Sequence, residues 1–286
     1  MSETGRLLSP LVVLSWWANC LALDCLERLR AQPRERSIYV LQAGKSAEQK
    51  ARFRACLPPG IIELDHPAHL PGEHSRVVQY VAFERLADQH GLWLVDHDVF
   101  FQADLEGWLQ EMDTFLQNEG ACLCLPRRQP GTPANTSPLF WLSPQRWPKG
   151  TPGIDPVPFQ ERDESRRPDL YRSRLELSMP QKDTLMLAKE ALQARGMVRY
   201  YPLWAEPGET ALPLLPEHAH LGGLSLFASQ LPVELYQTLD WFRGWMQQTV
   251  EGFSRYYAAC PPAWLAVEDP ILLQRLEEYQ EFVHGG

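Results

Sequence analysis

Leu92-Trp93-Leu94-Val95-Asp96-His97-Asp98-Val99-Phe100-Phe101 is the stretch on which the fold turns. An apolar run that ends in acids reads as a buried strand carrying carboxylates to the rim of a sheet. Two acids spaced i, i+2 between apolar runs are costly unless something cationic satisfies them. In a strand-end turn, Asp96 and Asp98 both reach the rim while His97 points elsewhere. Divalent cations such as Mg2+ and Mn2+ take oxygen ligands of this kind and keep positions for phosphate oxygens. Solvated or helix-capping acids are the other reading, and a bare Asp-x-Asp does not separate the two.

The residues before this stretch alternate between strand and helix patterns. Leu11-Val12-Val13-Leu14 reads as a buried strand. Asn19 is placed to cap a helix with Ala22, Cys25, Leu26 and Leu29 on one face. A second strand, Ser37 to Leu41, leads into Gln42-Ala43-Gly44-Lys45-Ser46 and a helix from about Ala47 to Cys56. A short strand, Ile61 to Leu64, and a helix from about Ser75 to Gln89 precede the Asp96 strand. Such alternation implies parallel strands joined by right-handed crossovers. In such sheets ligands sit beyond the carboxyl ends of the strands, so the segments after Leu14, Leu41, Leu64 and Val95 should share one rim.

After Cys124 the pattern changes. Residues 126–180 are rich in proline and arginine with little periodicity, as in functional loops. Leu185, Ala188 and Leu192 then line a helix that stops at Gly196, and Met197 to Pro202 reads as a short strand. Near the end come an amphipathic helix with Leu235, Leu239, Phe242, Met246 and Phe253 on one stripe, and a last helix from about Pro270 to Val283.

Composition narrows the function classes. The length of 286 residues fits one large α/β domain or a domain and a half. A net charge of −9 argues against a nucleic-acid partner, which needs a basic surface. The cysteines show no paired C-x-x-C spacing, and Cys122 and Cys124 fall in an apolar run, so free thiols are expected. Leu11 to Leu14 is too short for a signal peptide. No apolar run reaches the length of about 18 residues that a membrane span requires. A soluble cytoplasmic protein is expected, with peripheral membrane contact left open.

Two further motifs carry chemistry. Glu217-His218-Ala219-His220-Leu221-Gly222-Gly223-Leu224-Ser225 sets a His-x-His pair beside glycines that allow close backbone approach. Either His218 or His220 could add a ligand to a metal held by Asp96 and Asp98, or both could be exposed loop residues. Gln181-Lys182-Asp183-Thr184 opens a helix, where Asp183 is a candidate base or simply the helix cap.

In this order the pieces resemble the family-2-type glycosyltransferases and their relatives with the GT-A fold. The match runs from Leu11 to about Ser225. It comprises an opening strand and Asn-containing turn, a hydrophobic strand ending in Asp-x-Asp, and the segment Thr136 to Ser143 as an acceptor-side strand. It continues with Asp183 at a helix start, Gly196, Val198-Arg199-Tyr200-Tyr201-Pro202, and His220 near Gly-Gly-x-Ser. The resemblance implies a GT-A type, Rossmann-like α/β fold: a mostly parallel central sheet flanked by helices, with a C-terminal helical extension. It divides the chain into a transferase domain, 1–228, and the extension, 229–286. The domain itself splits into a nucleotide-sugar half, 1–104, and an acceptor half, 105–228.

Carried over residue by residue, the resemblance implies that Asp96 and Asp98 bind Mn2+ or Mg2+ and through it a nucleotide diphosphate. His220 or His218 completes that site, and Asp183 activates the hydroxyl of a glycan, lipid or small-molecule acceptor. Ser15, Gln42, Gly44, His74, Arg76, Asp96 and His97 stand where the family contacts its nucleotide-sugar. The implied reaction is a single in-line displacement that inverts the anomeric carbon. Two positions depart from the family. The acid that ends its second strand is absent, with Gln42-Ala43-Gly44 in its place, and Lys182 replaces a Glu. Two rival readings stand beside it: a non-catalytic glycosyltransferase-like binding module, and a phosphatase of the haloacid-dehalogenase type. The latter also uses Asp-x-Asp, but normally begins its fold with it.

Overall fold

The computed structural model describes residues 8–16, 18–32, 35–43, 45–67, 74–127, 138–154, 185–203, 212–221 and 240–284. The expected strands form as β1 (Leu11–Ser15), β2 (Ile38–Gln42), β3 (Ile61–Leu64) and β4 (Leu92–Asp96). Beyond them lie β5 (Val99–Phe101), β6 (Leu123–Pro126), β7 (Leu139–Leu142), β8 (Val198–Tyr201) and β9 (His218–His220). Seven of these make one sheet in the order β3-β2-β1-β4-β7-β6-β8, and β5 pairs with β9 apart from it. β1 runs parallel to β2 and to β4, β2 to β3, and β6 to β8, while β7 is antiparallel to both its neighbours. The result is the α/β architecture with a mostly parallel sheet that the alternation implies.

β1 is buried along its whole length because both faces of the sheet are covered. Leu11 and Val13 pack with Trp93, Val95 and Trp141 on one face. Val12 and Leu14 pack with Leu94 and Phe140 on the other. The first face is covered by α1 (Asn19–Ala31) and by α4 (Leu105–Asn118), which supplies Leu105, Leu109, Met112 and Leu116. The second is covered by α3 (His74–Tyr80) and α5 (Met186–Gln193), with Val77, Val78, Ala188 and Leu192. α2 (Ala47–Ala55) follows β2 and opens with a complete capping box, Ser46 and Gln49. At Gly91 the main chain approaches the Trp141 indole so closely that a Cβ would collide with it.

Several details depart from the sequence reading. The expected helix from Ser75 to Gln89 is α3 followed by one π turn, Val81–Arg85, closed by Leu86 N–H donating to the Val81 carbonyl at 2.9 Å. α4 is not among the helices expected from the sequence; Asp104 caps it by accepting from the Glu106 and Gly107 amides. Asn19 does not cap α1 but is its first residue, and Ala18 occupies the cap position without a side-chain bond.

The cap of α1 comes from the other end of the chain. Glu268 accepts from the Asn19 amide at 2.7 Å and the Cys20 amide at 2.9 Å, and from the Tyr257 hydroxyl at 3.0 Å. It lies between α7 (Pro262–Leu265) and α8 (Pro270–His284), which with α6 (Asp240–Ala258) close the chain. Val250, Phe253, Leu272 and Leu276 bury Cys20, Leu21 and Phe100. This is why α1 is apolar around most of its circumference rather than on one stripe. No helix among the described residues is long and apolar enough to cross a membrane.

At the amino ends of the strands, Arg36 is buried and donates to Glu106 at 2.8 Å, Asp113 at 2.9 Å and the Ser9 carbonyl at 2.6 Å. Asp113 also accepts from the Trp93 indole at 2.9 Å and the Ser9 amide at 3.1 Å. The cluster joins the β1 entry, β4 and α4 through one cation. Arg36→Met leaves two buried carboxylates without it and should cost about 3–5 kcal/mol in urea unfolding. Converting Arg36, Glu106 and Asp113 together to apolar residues should cost far less, because no unpaired charge remains. Glu268→Ala should cost about 2–3 kcal/mol by the same measurement, from charge-assisted bonds to the α1 amides.

Candidate functional site

The chain lays down β1, β2 and β3 toward one edge, then returns to place β4 on the other side of β1. The strand order therefore reverses between β1 and β4. The crevice at the carboxyl ends of such a pair is where open α/β sheets bind ligands. Leu14 is in register with both Leu41 and Asp96, so the ends of β1, β2 and β4 share one rim, as the alternation implies. Ser15, Gln42 and Asp96 stand on it.

After Asp96 the chain turns through His97 and Asp98 into β5, which pairs antiparallel with β9. Val99 faces His220 and Phe101 faces His218, and the Leu221 amide donates to the Asp98 carbonyl at 3.1 Å. The pairing brings the backbone of the His-x-His motif against the Asp-x-Asp turn and separates its two histidines. His220 lies at the Asp98 end. His218 lies at the far end, its ring 6.0 Å from that of Phe101 and its Nδ1 3.0 Å from the Pro216 carbonyl. Asp183 and Gly44 lie outside the described residues.

Around the end of β1 the polar groups interlock. His97 is buried, and its Nδ1 lies 3.0 Å from the Leu14 carbonyl, while its Nε2 is buried with no hydrogen-bond partner. Burial pushes the His97 imidazole below its ordinary pKa, and Lys45 adds to that, against the pull of Asp98 and Asp96. His74 Nε2 approaches Asp96 Oδ1 at 3.6 Å, so the helix that opens with His74 reaches the first acid of the motif. Trp16, just past β1, sets its ring 5.2 Å from His74 and 6.4 Å from His97. Arg76 is the third residue of the helix that His74 opens, half-buried.

Gln42 is buried at the end of β2 and donates its amide to Glu63 at 2.8 Å. A carboxylate only accepts, so the Gln42 nitrogen must face Glu63 and Oε1 is the other end. That oxygen is buried without a partner.

Lys45, Trp16 and Glu268 also belong to this rim, beside Asn19, and the sequence pattern does not point to them. Lys45 Nζ donates to Ser15 Oγ at 2.8 Å and Asn19 Oδ1 at 2.6 Å and sits 4.7 Å above the Phe53 ring. Burial pushes the Lys45 ammonium down to about 7, against the attraction of Glu268, Asp269 and Glu63 and with a small push from Lys50.

Two carboxylates spaced i, i+2 on a turn are hard oxygen donors suited to Mn2+ or Mg2+. Among the described residues no three His, Cys, Asp or Glu side chains gather into a metal-holding group. A metal held by Asp96 and Asp98 would therefore need further ligands beyond these two carboxylates.

No protein-family description and no curated protein matches the chain. Similar solved structures include the WbbM bifunctional glycosyltransferase (10% identity, 93% of this chain, 52% of that chain, TM-score 0.43). An active-site mutant of LgtC is similar at 15% identity, over 90% of this chain and 99% of that one, with a TM-score of 0.46. The mannosyltransferase PcManGT from Pyrobaculum calidifontis, in complex with GDP-Man and Mn2+, is similar at 13% identity over 99% and 77%, with a TM-score of 0.43. The chain spans about half the length of the WbbM chain. At such identities and TM-scores these likenesses fix neither substrate nor mechanism.

The lowered folded value of Lys45 sets a direction for pH. Between about pH 7 and the ordinary lysine value the unfolded chain holds a proton that the folded chain lacks, so stability rises with pH. Urea titrations from pH 7 to 9 should show wild type gaining stability relative to Lys45→Met. Parallel pH profiles for the two proteins would contradict the burial of this ammonium.

Proposed function

We propose that the chain is a nucleotide-sugar-dependent glycosyltransferase that uses Mn2+ or Mg2+ and transfers its sugar with inversion to an acceptor hydroxyl. The observation that carries the reading is the meeting of two motifs far apart in sequence. The Asp96-His97-Asp98 turn leaves the sheet at its switch point, and β9 delivers His220 against that turn. A haloacid-dehalogenase phosphatase gives no reason for that convergence, and normally starts its fold with the motif that here ends the fourth strand.

In this reading Asp96 and Asp98 hold the metal, with His220 rather than His218 adjoining them. A bound metal supplies Lewis-acid stabilisation of the charge that grows on the departing nucleoside diphosphate. The protein's own groups do the remaining work. Ser15 and Gln42, at the ends of β1 and β2, contact the nucleoside together with Gly44. Gln42 offers a carbonyl oxygen to a base N–H without bringing the charge of the usual acid. His74 and Arg76 come from the start of α3 toward the phosphates, and His74 also orients Asp96. Asp183 takes the proton from the acceptor hydroxyl, which must attack opposite the leaving diphosphate for the anomeric carbon to invert. Holding those two oxygens in line is the larger part of the rate. The acceptor binds against the Arg/Pro-rich 126–180 segment.

A thermal-shift screen with UDP-, GDP-, ADP- and dTDP-sugars, with and without Mn2+, tests the donor site. At least one nucleotide-sugar should raise Tm in the presence of the metal, and Asp98→Asn should abolish that response. No shift with any nucleotide under any metal condition would remove the reading. The anomeric form of the sugar released from the stabilising donor, read by proton NMR, should be opposite to that of the donor. Metal-dependent binding with no turnover would instead favour a non-catalytic binding module.

A further inference from the structure

We propose that the ion pair of Glu63 with Arg54, outside the site described above, decides which nucleobases the chain accepts, by fixing the direction of the Gln42 amide. The proposal rests on the nucleotide-sugar reading, in which Gln42 meets the base, and adds Glu63 as a positioning residue behind it. β2 and β3 run parallel with Val40 level with Glu63, and Gln42, two residues on, shares that face. On the same face α2 packs Phe53 into one cluster with Val40 and brings Arg54 to Glu63. Gln42 Nε2 donates to Glu63 Oε1 at 2.8 Å. Arg54 Nη2 donates to the same oxygen at 3.0 Å, and Arg54 Nε donates to Oε2.

A side-chain amide has two ends of nearly the same shape and opposite hydrogen-bonding sense, so its partners decide which end points where. With Arg54 donating to both of its oxygens, Glu63 meets Gln42 as a carboxylate and only accepts. Turning the amide over would set Gln42 Oε1 against that carboxylate, with no hydrogen between them. Gln42 therefore keeps Nε2 toward Glu63 and Oε1 away from it. Gln42 is 1% exposed and its Oε1 has no partner, so a ligand group that meets this oxygen must donate or leave a buried acceptor unpaired.

Nucleobases differ at this point. Uracil and cytosine share a ring shape but exchange donor and acceptor at two adjacent edge positions, the 4-substituent and the ring nitrogen beside it. Hypoxanthine and adenine make the same exchange on a purine. A fixed acceptor thus takes one member of such a pair and rejects the other, whichever of the two positions meets it. An amide free to turn would answer either member, and Glu63 removes that freedom.

Calorimetry in Mn2+ with UDP against CDP, and IDP against ADP, reads the effect. Wild type should prefer one member of a pair by about tenfold. Glu63→Gln, whose amide can accept or donate, should let Gln42 turn and bring the two members close to equal affinity. Arg54→Glu combined with Glu63→Lys keeps an ion pair between α2 and β3 but presents Gln42 with a donor. The amide should then turn and the preference reverse, which an ion pair with a merely structural role would not bring about. On wild type itself, the Gln42 13Cδ resonance should move downfield with the preferred member while its Nε2–H2 pair keeps its free-state shifts.

The proposal is overturned by a folded charge-swapped protein that keeps the wild-type preference, or by Glu63→Gln discriminating as wild type does. Wild type that binds both members of each pair alike overturns it too, as does a nucleotide-induced shift of Nε2–H2 in place of 13Cδ. Those outcomes leave nucleotide binding intact, whereas failure of every nucleotide and nucleotide-sugar to bind wild type takes the glycosyltransferase reading down as well.

Discussion

The carboxylate of Glu268, seated on the first amides of α1, is the contact from which the geometry of the rim follows. It fixes where α1 begins, 249 residues away in sequence. The start of α1 fixes Asn19, Asn19 and Ser15 together hold Lys45, and the same short turn carries Trp16 beside His74 and His97. A helix start needs an acceptor for its orphan amides, and Ala18 cannot provide one. The carboxyl-terminal helices are therefore part of the rim's construction. Their apolar residues cover the back of α1 while one charged residue sets its position.

Both ends of the sheet bury polar groups. At the amino end, the carboxylates of Glu106 and Asp113 and the indoles of Trp93 and Trp141 all find close partners, tied together through Arg36 and Ser9. At the carboxyl end, Gln42 Oε1 and His97 Nε2 are buried without partners. A buried acceptor left open is a cost that packing alone would remove. Arg36 Nη2 in the amino-end cluster and His90 Nε2 just before β4 are likewise buried without partners, so open polar atoms are not confined to one rim.

Much of the central sheet could be read from sequence because burial on both faces produces continuous apolar runs, as in Leu11 to Leu14 and Leu92 to Val95. The common rim followed from parallel strands alone. The small β5–β9 pair was not legible: Val99-Phe100-Phe101 is too short to announce a strand, and its partner lies beyond the irregular Arg/Pro-rich segment. Neither was the α1 cap, since Asn19 suits the local rule and only the tertiary structure supplies Glu268. Lys45 was passed over because an isolated lysine after a glycine carries no pattern. Its meaning arises from Ser15, Asn19 and Phe53, all distant in sequence or hidden by the turn. Asp183 and Gly44 fall outside the described residues, so the base and part of the nucleoside contact rest on the resemblance.

The pairing of β5 with β9 also has a temporal side. A chain emerging from the ribosome can complete β1 to β4 and expose Asp96 and Asp98 well before His218 to His220 exist to pair with them. Glu268 emerges later still. The acidic turn is thus presented early, on a sheet rim still lacking its second small strand and its helix cap. Contacts between such distant segments form slowly, because loop closure must precede any gain from pairing. Whatever ligand the rim binds, the assembled site is among the last features of the molecule to exist.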